Sequence, residues 1–302
     1  MDSQPIHIRR FESNPIIRPR MLPWFDGNNI NGPSLMRAPD WLPGRLGAYY
    51  LYFAHHEGRY IRLAVADRLE GPWRVHRPGS LTLADAPGCK GHIASPDVHV
   101  DEAGRRIVMY FHGPVVREKR QASFVATSVD GVNFTARPEP VADFYLRVVP
   151  WRDRLIGMAK GGQLYLGRHG STAFEPLPNS AFPMSSPRAN AAGDVRHVAL
   201  DCAGDRLNVY FTRIGDRPES IFRARIDLAR PPSEWRAGDA DLVLRPETAW
   251  EGVKIPLKAS RSGPARGREN ALRDPAIFRE EGRTYLFYSV AGESGIGIAE
   301  VT

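Results

Sequence analysis

A strand pattern that recurs five times is the feature of this sequence that most limits its fold. Each copy is a run of five mostly aromatic or aliphatic residues, and the copies lie at 49–53, 107–111, 155–159, 207–211 and 284–288. The last residues of successive copies are 58, 48, 52 and 77 positions apart. These spacings fit propeller blades of roughly 40–50 residues that carry insertions.

Each repeat also contains a third apolar strand, followed by an aromatic residue that marks an outer strand. The third strands are predicted at 61–66, 122–127, 163–167, 220–226 and 296–301, and the outer aromatics are Trp73, Phe134, Phe174 and Trp235. The fifth repeat ends without an outer strand, whereas the N-terminal run 6–11 resembles one. We therefore predict an all-β, five-bladed β-propeller, a single domain over residues 1–302, whose last blade is closed by the N-terminal strand. Residues 239–270 are predicted to be an insertion, and a β-sandwich followed by a small domain is the alternative fold.

Composition restricts the partners of the chain. The 28 Gly and 26 Pro residues favour turns over long helices, and the formal charge is +7. Because the Lys and Arg residues are scattered and form no block of like charges, we expect no nucleic-acid partner. The N-terminus has no apolar core of a secretory signal and no segment could span a membrane, and Cys89 and Cys202 form no CxxC pair. We expect a cytoplasmic protein with reduced thiols and no membrane partner; its oligomeric state is not set by these features.

The first strand of each repeat supplies the candidate site. In a propeller these strands line a central channel, and polar residues that open otherwise apolar strands are costly to bury unless they find partners. At or beside one aligned position stand Ser34, Asp97, Arg147, His197 and Asp274. We expect them to converge on the channel mouth and to bind each other or a ligand. Each also has a structural alternative: Asp97 as a turn cap, Arg147 and His197 as a satisfied pair, and Asp274 as one half of an ion pair.

Further candidates lie in loops that should reach the same mouth. They are Glu269, Arg273, Asn31, His92, Trp24 and Trp250. Carboxylate and imidazole groups suit proton transfer, amides suit hydroxyl recognition, and the two Trp side chains could stack on sugar rings. Solvated loop, turn and core roles are the alternatives. The spacing of the histidines does not define a metal site, so we expect no metal ligands.

Several short motifs resemble those of the five-bladed propeller glycosidases, glycoside hydrolase families 43, 32, 117 and 130. The motifs are Asn14-Pro15-Ile16-Ile17, Gly32-Pro33-Ser34-Leu35, Ser95-Pro96-Asp97-Val98, Gly71-Pro72-Trp73 and Arg273-Asp274-Pro275-Ala276. The resemblance implies a sugar pocket on the axis with an Asp base, a second Asp that tunes the acid, and a Glu acid. The chain departs from family 43 where the base Asp of the first blade would stand, since it has Pro33-Ser34 there. Family 117 implies a His acid, which makes His197 and His92 candidates.

Our hypothesis from the sequence is an inverting, exo-acting glycosidase for a small sugar or oligosaccharide, with an acidic or an anhydro sugar as the alternatives for its chain end. Asp97 would be the base, Glu269 or His197 the acid and Asp274 the residue that orients the acid, while Arg147 and Arg273 would hold a substrate carboxylate. No cofactor is expected, with a calcium ion in the channel as an alternative. The rival functions are a non-catalytic carbohydrate-binding propeller, a phosphorylase or lyase on the same fold, and a protein-interaction scaffold.

Overall fold

The computed structural model describes residues 6–23, 25–168, 173–184 and 190–302, and almost all regular structure in these ranges is β-strand. The strands are β1 (Ile8–Arg10), β2 (Asn31–Arg37), β3 (Tyr49–Ala54), β4 (Arg62–Ala66), β5 (Arg74–His76), β6 (Ala94–Asp101), β7 (Arg106–Pro114), β8 (Gln121–Ser128), β9 (Thr135–Ala136), β10 (Ala142–Asp143), β11 (Arg147–Trp151), β12 (Arg154–Met158), β13 (Gln163–Arg168), β14 (Glu175–Ser180), β15 (Val195–Ala203), β16 (Arg206–Arg213), β17 (Ile221–Asp227), β18 (Asp241–Leu244), β19 (Arg273–Glu280), β20 (Arg283–Ser289) and β21 (Ile296–Val301). Five single-turn 3₁₀ helices occur at Pro19–Met21, Asp26–Asn28, Leu83–Asp85, Lys160–Gly162 and Pro232–Glu234. In the described ranges no helix is long and apolar enough to cross a membrane.

The strands form five antiparallel sheets, which are the five blades of a propeller. Blade 1 has the order β2-β3-β4-β5, blade 2 is β6-β7-β8 with β9 and β10 beside β8, blade 3 is β11-β12-β13-β14, and blade 4 is β15-β16-β17-β18. Blade 5 is β19-β20-β21-β1. The predicted propeller class is therefore confirmed; four blades have four strands, and in blade 2 the two short strands β9 and β10 both pair with β8.

The N-terminal strand completes the last blade as predicted. Ile8 pairs with Val301 and Arg10 with Ala299, so β1 is the outer strand that the C-terminus lacks. The Asn14 side chain fixes the exit from β1, since it donates to the Ile298 carbonyl at 2.8 Å and accepts the Ile298 N–H at 2.9 Å. Pairing the two ends of the chain in one sheet closes the ring.

Hydrophobic packing lies between the blades. Five buried clusters each join two adjacent blades, as where Tyr52 of blade 1 meets the edge of Phe134 of blade 2 at 5.9 Å between ring centroids. Large apolar side chains alternate along the strands to both faces, and each fully buried one contributes about 1.5–3 kcal/mol. The five hydrophobic clusters between the blades therefore surround the polar residues on the channel axis.

The first strands carry a register shift that corrects our alignment of the site. Two residues are unpaired between Asn31 and Ser34, Ala94 and Asp97, Val195 and Val198, and Arg273 and Ala276. Asp274 therefore corresponds to Gly32 and Ser95, whereas Asp97 corresponds to Ser34. Gly32, Ser95 and Asp274 share a left-handed backbone, with φ of 58°, 49° and 48°. The bulge occurs at the same place in all four strands, and matching it shows that the alignment of the motifs sets Asp274 two residues too far along its strand.

The two ends of the central channel are built from different segments. The end at which the first strands begin, here called the mouth, is surrounded by the turns between the second and third strand of each blade. The end at which the first strands finish, here called the lower end, is surrounded by the tight hairpins that join them to the second strands. The predicted insertion contains β18 at Asp241–Leu244 and then runs without strand or helix to the start of β19 at the mouth.

Candidate active site

Asp274 lies on the channel axis below the mouth, with its side chain 3% exposed. The Tyr145 hydroxyl donates to its Oδ1 at 2.9 Å, and the Ser289 hydroxyl donates to its Oδ2 at 3.1 Å. Burial raises the pKa of Asp274, and the nearby Glu293 carboxylate raises it further. A carboxyl group in this environment keeps its proton to higher pH, which suits acid–base chemistry.

His197 is next to this carboxyl group. Its Nε2 is 3.3 Å from Asp274 Oδ1, and its Nδ1 is 3.0 Å from Thr212 Oγ1. Burial, followed by the charges of Arg196 and Arg273, holds the pKa of His197 well below its ordinary value. A neutral imidazole is therefore the form present at neutral pH, which suits a positioning role better than that of a proton donor.

A buried ion cluster anchored by Arg273 surrounds the axis. The side chain is 1% exposed and its three nitrogens reach three carboxylates: Nε to Glu219 at 2.7 Å, Nη1 to Glu293 at 3.2 Å and Nη2 to Glu269 at 2.6 Å. Burial alone would lower the pKa of Arg273, but the three carboxylates outweigh it and raise the pKa. The planar fork of a guanidinium suits such multiple contacts.

Arg196 repeats the pattern from blade 4. It lies 3.1 Å from Glu219 and 4.0 Å from Glu293. Burial raises the pKa of Glu293, but His56, Arg273 and Arg196 outweigh this and hold the pKa below its ordinary range. Asp274 and Glu293 are thus two neighbouring carboxyl groups whose environments move their pKa values in opposite directions, an arrangement typical of acid–base sites.

Glu269 is the carboxylate of this cluster that reaches solvent. Its side chain is 37% exposed, whereas Glu219 and Glu293 are 0% and 1% exposed. Because Arg273 holds one of its oxygens, the carboxylate is positioned at the mouth and can contact both water and a ligand.

Basic side chains also line the mouth, and one of them, His56, has its Nδ1 3.6 Å from Glu293 Oε1. His56, His92 and Lys160 are partly exposed there, and His112 is buried beneath them. Burial and then Arg196 lower the pKa of Lys160 to about 8, and its ammonium donates to Asn190 Oδ1. Burial, and then His92 and His56, lower the pKa of His112 well below its usual value. The rim therefore holds donors that can pair with oxygen-rich ligands.

Arg147 and Tyr145 plug the channel below the mouth. Arg147 Nη1 donates to the Pro96 carbonyl and Nη2 to the Tyr145 hydroxyl at 3.3 Å, and the guanidinium carbon is 4.8 Å from the Tyr145 ring centre. The Tyr145 ring in turn lies 5.1 Å from the His197 ring. The structure therefore places Arg147 in the axial network, as a buried element of its floor.

Asp97 lies on the other side of this plug. Its Oδ2 accepts the Val148 N–H at 2.7 Å and lies 2.9 Å from His99 Nε2, and its Oδ1 is 3.8 Å from Arg147 Nη1. Burial raises the pKa of Asp97, but His99, Arg147 and the Val148 N–H outweigh it and lower the pKa. Asp97 lines a cavity of about 450 Å³ that opens at the lower end, together with Arg147 and Asp201. The structure therefore does not place Asp97 in the mouth with Asp274, because Asp97 follows the bulge of its strand, two residues further along than Asp274, which lies within the bulge of its own strand.

The remaining predicted residues lie in different places. Ser34 Oγ accepts the Val98 N–H at 2.9 Å and joins blades 1 and 2. Asn31 is buried near the mouth, where it donates to Asn29 Oδ1 at 3.3 Å. Trp250 packs on the Tyr288 ring of blade 5, at 6.4 Å between centroids, and belongs to the blade core. Trp24 lies outside the described residues.

Three buried polar atoms near the axis have no hydrogen-bond partner in the described ranges: Asn31 Oδ1, His112 Nδ1 and Arg147 Nε. Buried polar groups are normally hydrogen-bonded to protein or to ordered water. These three atoms therefore identify the axis as a place where water or a ligand completes the structure.

No group of three or more His, Cys, Asp or Glu side chains is arranged to hold a metal ion in residues 6–23, 25–168, 173–184 and 190–302. Cys89 and Cys202 are free thiols in blades 2 and 4. The mouth thus offers hydrogen-bonding and acid–base groups from protein side chains.

Sequence reasoning missed Glu219, Glu293 and His112. Glu219 and Glu293 lie in the turns between the second and third strands of blades 4 and 5, the same turns that carry His56 in blade 1 and Lys160 in blade 3. Comparing these turns across the repeats would have identified both carboxylates. Tyr145 shares the left-handed backbone of Asp274, with φ of 64°, and only the structure reveals this.

The fold is that of the five-bladed propeller glycoside hydrolases. A thermostable family-43 glycoside hydrolase superposes with a TM-score of 0.64 at 12% identity, covering 90% of this chain and 88% of that chain. A family 43 β-xylosidase/α-arabinofuranosidase from a compost microbial metagenome, solved with xylotriose, gives 0.62 at 13% identity over 98% and 94%. An exo-1,5-α-L-arabinanase from a bovine ruminal metagenomic library gives 0.54 at 11% identity over 90% and 92%. These similarities establish the architecture.

The chain belongs to the family of the uncharacterized protein R118 of Acanthamoeba polyphaga mimivirus. The two are 36% identical over 326 aligned residues, which cover 99% of this chain and 92% of that protein. No protein-family model matches the chain.

Proposed function

We propose that the protein is a glycoside hydrolase whose active site is the mouth of the channel. The observation that carries the proposal is Asp274, a buried axial carboxyl group with a raised pKa in a fold shared with family 43 enzymes. Nearby hydroxyl, imidazole and guanidinium groups leave it in one fixed geometry. Such preorganised carboxyl groups are the usual catalysts of glycoside hydrolysis.

The proposed mechanism uses two carboxyl groups. Asp274 keeps its proton and donates it to the leaving oxygen, while Glu269, exposed to water and held by Arg273, accepts a proton from the attacking water. Arg273, which holds Glu269, is the neighbour of Asp274 in β19, so one strand carries both Asp274 and the residue that holds Glu269. An inverting reaction requires that they face opposite sides of the sugar with room for a water, about 6.5–9.5 Å apart.

The substrate would be the end of an acidic sugar or oligosaccharide. Lys160, His56 and His92 lie around the mouth, where a cation and imidazole donors can pair with a carboxylate. Action at a chain end is consistent with a floor closed by Tyr145 and Arg147, because a channel that is plugged cannot pass a polymer through.

A non-catalytic carbohydrate-binding propeller is the second candidate. The position of Asp274 is occupied by Gly32 in blade 1, and a Cβ at Gly32 would lie 2.9 Å from Ser95 Cα. A side chain of any kind is therefore excluded there, so the first-blade carboxylate expected from family 43 has no place in this chain. Because Asp274 has no carboxylate counterpart at the equivalent position of blade 1, a non-catalytic binding role is favoured. The solvent-exposed carboxylate of Glu269, which can serve as the second catalytic group, favours the hydrolase.

Hydrolysis of aryl glycosides and of neutral and uronic-acid oligosaccharides tests the proposal. Wild type is compared with Asp274→Asn, Glu269→Gln and Asp97→Asn, each with and without inorganic phosphate. We expect turnover without phosphate that is lost in the first two variants. Binding of sugar with no turnover in any protein would identify the binding module instead, and turnover that requires phosphate would identify a phosphorylase.

A further inference from the structure

The loop 252–268 has an unusual charge pattern and a fixed position at the mouth. It contains five basic residues and no acidic residue: Lys254, Lys258, Arg261, Arg266 and Arg268. All five are exposed, and none makes an ion pair within the described parts of the chain. We call this segment the basic rim.

Buried contacts hold the basic rim against the mouth. Ser260 is buried; its N–H donates to the Asp216 carbonyl at 3.0 Å, and its hydroxyl accepts the Gly215 N–H at 3.0 Å and donates to the Arg213 carbonyl at 3.2 Å. Arg196, itself in the axial ion cluster, donates to the Gly263 carbonyl. The loop is therefore tied to the active-site cluster through its own backbone, and its basic side chains are left facing outward.

The far end of the rim approaches blade 3. Ser262 donates to Asn190 Oδ1 at 2.9 Å, and the same oxygen accepts the Lys160 ammonium. At the other end Asn270 donates to the Val253 and Ile255 carbonyls at 3.2 and 3.1 Å, next to Glu269. The rim thus runs from the side of Glu269 to the side of Lys160, along the edge of the axial mouth.

Several exposed arginines elsewhere on the surface have an acidic partner. Arg9 pairs with Glu300, Arg37 with Glu280, and Arg152 with Asp205. Exposed pairs of this kind contribute little stability but cancel local charge. In the basic rim the charges are not cancelled, so their potential extends over about a Debye length, roughly 10 Å at moderate salt, and this covers the neighbouring mouth.

We infer that the basic rim is a binding surface for a polyanionic glycan, whose acidic residues outside the mouth pair with the exposed Lys and Arg side chains. Spaced cations on an extended loop match a linear chain of carboxylate or sulfate groups. Entry of the chain end into the mouth rests on the proposed function, but binding along the rim does not.

A binding experiment tests the inference separately from catalysis. Fluorescein-labelled oligogalacturonate, a labelled sulfated oligosaccharide, a neutral xylo-oligosaccharide and a single-stranded DNA oligonucleotide are titrated at low and at high salt. The proteins are wild type, Asp274→Asn and the quadruple variant Lys254→Gln/Lys258→Gln/Arg261→Gln/Arg266→Gln. Arg268 is retained because it donates to the Ala249 carbonyl.

A matched variant removes four charges from the lower end: Arg45→Gln/Arg68→Gln/Arg206→Gln/Arg230→Gln. We expect at least one acidic glycan to bind both wild type and Asp274→Asn. The rim variant should bind it about tenfold or more weakly than wild type, and the lower-end variant should bind it like wild type, with salt dependence reduced only in the rim variant. Binding of the oligogalacturonate would indicate recognition of carboxylate groups, and binding of the sulfated oligosaccharide would indicate recognition of sulfate groups.

Equal loss in both quadruple variants, binding of neither acidic glycan, or tighter binding of the DNA oligonucleotide would overturn the inference. Near-UV circular dichroism and the thermal midpoint show whether each variant keeps its fold. If the rim binds an acidic glycan but neither wild type nor any variant hydrolyses it, the inference about the rim is supported and the proposed hydrolase function is rejected.

Discussion

The two ends of the channel use similar residues for different purposes. At the mouth, Asp274 is buried, has a raised pKa and is bounded by a network that reaches the solvent-exposed Glu269. At the lower end, Asp97 has a lowered pKa, and each of its oxygens contacts protein groups. An aspartate that is held in its charged form by local donors is a structural residue, whereas one that is kept near protonation is suited to chemistry.

The buried pair Tyr145 and Arg147 explains how one channel can hold two carboxyl groups in such different environments. Tyr145 and Arg147 separate the carboxyl groups, yet they also connect them, because Arg147 lies 3.8 Å from Asp97 and donates to the Tyr145 hydroxyl, which donates to Asp274. Asp97 can therefore influence the mouth by positioning Arg147, without contacting a substrate. The comparison predicts large effects at the mouth and smaller ones below it.

The largest expected effect is on turnover. Asp274→Asn should lower kcat/KM by about a thousandfold, because the amide cannot transfer a proton. Asp97→Asn should lower it by less than about tenfold, because it changes only the position of Arg147. Steady-state kinetics on one substrate measure both values. An Asp97→Asn loss that equals or exceeds that of Asp274→Asn would reverse the assignment of the two ends.

The next effect is on stability. Arg273→Met leaves buried carboxylates without their cation, so we expect a loss of about 3–5 kcal/mol in the free energy of unfolding. Arg279→Met is the control at the lower end, where Arg279 pairs with Asp201 but is 48% exposed. There the loss should remain below about 2 kcal/mol. Urea unfolding measures both losses. Equal losses would show that the buried ion cluster at the mouth depends on its arginine no more than the half-exposed Arg279 pair does.

A smaller effect concerns substrate binding and pH. The pKa of Lys160 is lowered to about 8, so its positive charge is lost as pH rises through that value. We expect the KM for an acidic substrate to increase several-fold above about pH 8. In Lys160→Arg the increase should vanish, because a guanidinium stays charged. A pH-independent KM in wild type would exclude Lys160 from binding.

The smallest effect is the pH dependence of stability. Asp97 has a depressed pKa, so the stability it contributes is present above its unfolded pKa and is lost as pH falls through the folded value. Asp274 has a raised pKa, so its contribution is present below the unfolded pKa and is lost as pH rises through the folded value.

Unfolding free energies between acid and neutral pH, compared with wild type, check these signs. Asp97→Asn should remove a stabilising contribution to the free energy of unfolding that wild type loses at acid pH. Asp274→Asn should remove a destabilising contribution to the free energy of unfolding that grows in wild type as pH rises toward neutral. Shifts of the same sign in both variants would contradict the opposite environments of the two carboxyl groups.

The sequence predicted the propeller well because its evidence is local and repeated. The second strands with their aromatic residues, the turns, and the N-terminal strand that completes blade 5 each leave a pattern in a few consecutive residues. Packing between blades then follows from strand alternation.

The site was predicted only in part, since its geometry depends on bulges and on long-range contacts. The motifs align Asp97 with Asp274, but Asp97 lies two residues further along its first strand than Asp274 does. Glu219 and Glu293 meet Arg273 from turns that are 54 and 20 residues away in the chain. The loop position of Trp250 beside the polar residues predicts a place at the mouth, but its ring packs beside Tyr288 in the structure.

The central claim is that sugar binds at the mouth, and the crystal structure of Asp274→Asn soaked with a substrate of the wild-type protein tests it most directly. We predict a sugar ring between Glu269 and residue 274, with an acidic group near Lys160. A sugar bound in the lower cavity beside Asp97, with no sugar at the mouth, would contradict the account.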